Sequence, residues 1–175
     1  MGANHAIDWN IFRGTWRILS EAKQGRGIWL SILGISWFFA AGAVLVSEFA
    51  PLVSGTLAAK QEVATVFLVI FSVAIALGSL TVNRLLKGEV SARYVPISGL
   101  VMAIGLLALW WATTGFAVHT AGASVGQFMA TPGAWAILGS LAIIAYSGGI
   151  FIVPLYAILQ TNSPEESRSQ IIAAN

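Results

Sequence analysis

The chain is 175 residues long, with 57% hydrophobic residues, only 9% charged residues and a formal net charge of +2. A soluble domain carries about 25% charged residues, so too few ionisable side chains are present to solvate a soluble globule, and disordered chains are more charged and less apolar than this one. With no cysteine there is no disulfide framework and no thiolate nucleophile or metal ligand, and nine basic residues scattered through so apolar a chain point to membrane topology rather than to nucleic acid.

The N-terminal segment 1–27 holds Trp9, Phe12, Trp16 and Leu19 at spacings of three and four, with Arg13, Arg17 and Lys23 interleaved. An apolar stripe with tryptophans beside basic residues predicts a helix over 9–23 in the membrane interface, lying on lipid or packed on its own protein. Four stretches without Asp, Glu, Lys or Arg follow: Ile28–Ser47, Val63–Val82, Val95–Val118 and Ala134–Leu159. Each reaches the length of about 20 residues that a helix rising 1.5 Å per residue needs to cross about 30 Å of hydrocarbon. They predict an all-α, multi-pass bundle with spans at about 28–50, 63–83, 95–115 and 134–159. Val63–Val82 is apolar on every face, which excludes the period-2 alternation of a membrane barrel.

Between and within the spans lie the polar and helix-breaking residues that could act. Glu48 closes the first span just before Pro51, where it either anchors the interface or contacts a substrate or gate. The turn 79–88 carries Asn83, Arg84 and Lys87; a short basic loop of this kind can dock an Arg on a neighbouring helix end, or its cations can simply snorkel. Residues 115–133, rich in Gly, Ala, Ser and Thr, are expected to form a loop that partly dips into the membrane. The fourth span contains Tyr146, Ser147, Gly148, Gly149, Pro154 and Tyr156 and ends near Gln160, a combination that predicts a bend able to line a cavity. The pairs Ala74-x-x-x-Gly78, Gly99-x-x-x-Ala103 and Ala145-x-x-x-Gly149 predict close helix packing. Ser163-Pro164-Glu165-Glu166 has the cap, proline and acidic residues of a helix start. The tail 161–175, with Arg168, is therefore expected to begin a further helix cut short at Asn175, as in a piece of a longer protein.

Lys and Arg mark the cytoplasmic side. All of the nine except Lys60 fall in the N-terminal segment, the 83–94 loop or the tail, which predicts both termini in the cytoplasm. No phosphate loop, nucleophile elbow or zinc helix occurs. His5 and His119 are too isolated to form a metal site, and Asp8 is the sole aspartate. The reading is non-enzymatic, with no cofactor and no metal.

The turn 79–88 resembles the loop signature of the major facilitator superfamily, with Ser79 in the position of the glycine and Asn83 in that of the acid. The segments GTWRILSEAK (14–23), ILGISWFF (32–39), FSVAIALGSL (71–80), GGIFIVPLYAILQ (148–160) and RSQIIAAN (168–175) together resemble the bacterial lysophospholipid transporter family of that superfamily. They also resemble the transporter part of its fusions with phospholipid acyltransferase and acyl-carrier-protein synthetase domains. The resemblance implies that the spans are helices seven to ten of a twelve-helix transporter, that segment 9–23 ends the linker between its halves, and that an N-terminal half faces this one. It implies an inner-membrane protein that moves lysophospholipid by alternating access, with membrane lipid as its surroundings. The alternatives are the transporter segment of a fused acyltransferase, or a structural four-helix module without transport of its own.

Overall fold

A computed structural model describes residues 26–116 and 121–162. The expected helix at 9–23, His5, Asp8, His119, the capped tail from Ser163 and Arg168 lie outside the described residues.

The described chain is an all-α bundle with four helices long and apolar enough to cross a membrane. The first, α1 (Arg26–Ser47), runs on through a single turn, α2 (Phe49–Pro51), and a π-helical turn (Leu52–Thr56), a rod of 31 residues. The second and third are α3 (Glu62–Leu86) and α4 (Val95–Thr114). A short helix, α5 (Val125–Ala130), precedes the fourth span, α6 (Ala134–Asn162).

Local chemistry sets these boundaries. Pro51 lacks an N–H and its ring crowds the carbonyl four residues back; that residue is Ser47, where α1 stops. Bonding resumes from the Leu52 N–H to the Glu48 carbonyl at 2.9 Å, then widens to Leu57 N–H on the Leu52 carbonyl at 3.0 Å. This is the i→i−5 pattern of a π turn, and it carries the first span past the expected residue 50 to Thr56. In α3, Glu62 lies in the first turn and Arg84 in the last, each complementing the helix dipole. Lys87 then turns left-handed with φ 50°, and Gly88 follows with φ 84°. Pro96 sits in the first turn of α4, where a missing N–H costs nothing. The expected bend at Pro154 leaves α6 helical throughout: the proline lies inside a continuous 29-residue helix.

The hub of the bundle is α6. Half of its most apolar stretch is buried, against 17% for the first span. It packs along α3 and α4 and more lightly on α1, while those three make few contacts with one another. Where α3 crosses α6 the backbones nearly touch. A Cβ at Gly78 would land on the Tyr146 carbonyl oxygen, and one at Gly149 would land on that of Ile75. Only glycine on both helices allows this approach, and in hydrocarbon, where no hydrophobic force draws apolar helices together, such close packing supplies much of the association energy.

Two buried clusters occupy the two ends. Ile32 and Ile35 of α1 meet Ile152, Leu155 and Leu159 of α6 at one end. Phe49, Val53 and Leu57 join Phe67, Leu109, Phe128 and Ile137 at the other. The segment 121–133 covers this second end. Its helix α5 is started by a capping box between Ser124 and Gln127, and Phe128 (2% exposed) reaches the Phe67 ring at 6.0 Å between centroids. Backbone bonds from Gly122 N–H to the Ala58 carbonyl (2.7 Å) and from Lys60 N–H to the Ala123 carbonyl (2.9 Å) tie this cover to the loop after the first span. Outside the core, Leu33, Val69, Leu77, Leu107 and Trp111 are exposed, as expected of surfaces that meet lipid.

Candidate functional site

Helix α1 packs on α6 through Trp37 and Phe38, whose rings both lie 6.1 Å from that of Phe151, and a small gap remains beside this contact. At Gly34 a Cβ would come within 2.8 Å of Leu155 Cδ1, whereas at Gly42 it would meet nothing within 4 Å. These positions are eight residues apart, about 12 Å along the helix. The far end of α1 returns to the core through Phe49, which packs edge-on to Phe67 and Phe71 at 5.7 and 5.8 Å. A cavity of about 50 Å³ lies beneath the intervening stretch. Trp37, Phe38, Ala41, Gly42 and Leu45 of α1 form its roof, and Ile144, Ala145 and Gly148 of α6 its floor. Phe71 and Ile75 of α3 and Met102 and Leu106 of α4 are its walls. All four spanning helices contribute, and every lining side chain is apolar.

Leu45 and Leu106 also line a second, wider recess of about 330 Å³. Its other walls are Glu48, Pro51, Leu52 and Thr56 on the first rod, and Leu109, Trp110 and Thr113 on α4. Leu45 and Leu106 thus stand between the apolar inner cavity and an outer recess that carries one carboxylate. Glu48 is exposed there and makes no ion pair among the described residues.

The up-and-down order of the helices sorts charge between the ends. Arg26, Arg84, Lys87 and Arg93, with Glu89 among them, lie at the end where α1 and α4 begin, and Glu48, Lys60 and Glu62 lie at the opposite one. Arg93 sits over the Tyr94 ring at 4.9 Å. Four hydroxyls inside the helices donate to their own backbones: Ser79 to Ile75, Ser98 to Val95, Ser140 to Ala136 and Ser147 to Ile143. Among the described residues no group of His, Asp and Glu could hold a metal ion.

The residues singled out from sequence are dispersed. Glu48 lines the outer recess and Gly148 the floor of the inner cavity, where a Cβ would come within 2.9 Å of the Phe38 ring. Gly149 faces α3 instead and belongs to the helix crossing. Tyr146 lies in a separate groove of about 350 Å³ with Ala74, Leu77, Val101, Ala142 and Ile143. Pro154 is fully buried and Tyr156 packs on the cluster around Leu155. Asn83, Arg84 and Gln160 are exposed at the cationic end, away from the cavity. Phe38, Gly42, Leu106 and Trp110 also line these cavities and carry no signal in the sequence. Helices α1 and α4 are apolar on every side, so no stripe marks the side that faces the gap. The S-x-x-Q signal of the capping box at Ser124 could have identified α5.

No family model, no curated protein and no solved structure matches this chain.

Proposed function

We propose that this chain is part of a facilitator-type transporter of the bacterial inner membrane that moves lysophospholipid by alternating access, its four spans being helices seven to ten of twelve. The observation that carries this reading is the slot between α1 and α6, lined by four helices without a single polar side chain. At about 50 Å³ the cavity admits no more than a few methylenes, and its apolar lining would leave the lost hydration of a sugar or an ion uncompensated. The sorting of Arg84, Lys87 and Arg93 to one end fits that end facing the cytoplasm. An N-terminal half would supply the opposite wall of the transport path, so the four spans alone do not complete a cycle.

The test is reconstitution of a twelve-helix protein containing this chain into liposomes. Lysophosphatidylethanolamine placed in one leaflet is expected to exchange into the other faster than in protein-free vesicles. Transport of a sugar or drug without lysolipid exchange rejects the substrate and keeps the class; exchange by residues 1–175 alone rejects the need for a second half.

A further inference from the structure

We infer that the outer groove between α3 and α4, with the cations at one end of these helices, binds an intact anionic phospholipid as a resident of the protein surface. One acyl chain lies in the groove and the phosphate rests among Arg84, Lys87 and Arg93. This surface shares no lining residue with the cavity under α1 and does not depend on the transport reading.

The groove measures about 350 Å³. Ala74 and Leu77 of α3 and Val101 of α4 wall it, over a floor of Ala142, Ile143 and Tyr146 from α6, so its lining is apolar except for one phenol hydroxyl. Leu77 and Arg84 are two helical turns apart and share a face of α3, with the exposed Leu80 between them. On α4 the exposed Ile97 lies one turn from Val101, and Arg93 just precedes the helix. The groove is therefore about 10 Å from the cations along α3 and about 12 Å along α4. That depth falls in the nearer half of a hydrocarbon layer about 30 Å thick, where the chains of a lipid with its phosphate at this end must run.

Charge selects the lipid. Arg84, Lys87 and Arg93 are exposed, and none of them makes an ion pair among the described residues. Glu89 is the one acid in the segment 84–93. Arg93 lies over the Tyr94 ring at 4.9 Å, which leaves the N–H donors in the guanidinium plane open to a phosphate. A zwitterionic headgroup brings an ammonium that cancels its own phosphate, whereas a net negative one gains from each unpaired cation.

Equilibrium binding of radiolabelled phosphatidylglycerol and phosphatidylethanolamine with matched chains to the full chain in a nonionic detergent tests this. The glycerol lipid is expected to bind about 10-fold more tightly, and excess glycerol 3-phosphate, which offers the phosphate without the chains, does not displace it. Arg84→Gln, Lys87→Gln and Arg93→Gln together, all at exposed positions, remove the preference and leave the ethanolamine lipid unchanged; Lys60→Gln at the opposite end alters neither. Val101→Trp, which fills the groove from its rim, weakens both lipids about 5-fold or more, and Leu77→Trp does the same should Val101→Trp fail to fold. Equal binding of the two lipids by the native chain, a preference that survives the triple substitution, or full binding in both filling variants (diffuse surface attraction only) overturns the proposal. Displacement by glycerol 3-phosphate does so as well, since it makes phosphate alone the ligand.

Discussion

Replacing Gly149 with alanine puts a methyl group where α6 has none to spare. The new Cβ would overlap the Ile75 carbonyl oxygen and lie 2.8 Å from the Ser79 nitrogen and 3.1 Å from the Gly78 carbonyl carbon. Carbon–carbon attraction is best near 3.5–4.0 Å, so even the third contact is short by about 0.5 Å. All three neighbours are backbone atoms of α3, which no rotamer change can move. The helices must therefore separate along the most extensive interface in the bundle, and a radial gap of 0.5–1 Å forfeits roughly a quarter to a half of each pair's attraction. Overpacking of this kind costs about 1–3 kcal/mol, while glycine to alanine inside a helix gains about 1 kcal/mol from propensity. Gly139, on the same helix and with open space at its Cβ, isolates the two effects, because the propensity gain is common to both variants. Equilibrium unfolding in mixed micelles, followed by circular dichroism, should place Gly149→Ala about 1–3 kcal/mol below Gly139→Ala, roughly a 5- to 150-fold change in the folded ratio. Equal stability of the two would refute the close crossing of α3 and α6.

Three further outcomes follow from the same structure. Phe128→Ala removes a buried ring wedged near Phe67 and Phe116 and should cost about 3–5 kcal/mol in the same unfolding assay; a loss under 1 kcal/mol would mean that α5 does not seal this end. Ala58 holds φ 47°, a left-handed conformation that costs a residue with a Cβ about 1–2 kcal/mol, so Ala58→Gly should raise the unfolding midpoint or leave it unchanged, and a clear drop would contradict the turn. The chain has no cysteine, so single cysteines at Gln61 and Glu89 can be labelled with a membrane-impermeant maleimide in oriented vesicles. Labelling of Glu89→Cys from the cytoplasmic side and of Gln61→Cys from the other is expected, and labelling of both from one side breaks the up-and-down order.

Much of the architecture was legible from residue chemistry alone. Hydrocarbon thickness fixes the length of a spanning helix and backbone polarity forbids anything looser, so four charge-free stretches read directly as four helices. The glycine pairs Ala74-x-x-x-Gly78 and Ala145-x-x-x-Gly149 were legible as contact points, because only small residues admit a second backbone. Other features needed the tertiary structure. Pro51 and Pro154 look alike in sequence, yet the first ends α1 and starts a π turn while the second is absorbed within α6. Gly148 and Gly149 are adjacent but serve different neighbours, the ring of Phe38 and the backbone of α3. A helix apolar on all sides carries no record of which side meets protein and which meets lipid, since both surroundings suit the same side chains. The small cavity under α1, to which all four spanning helices contribute, is therefore decided by the packing of the helices and by nothing in any one of them.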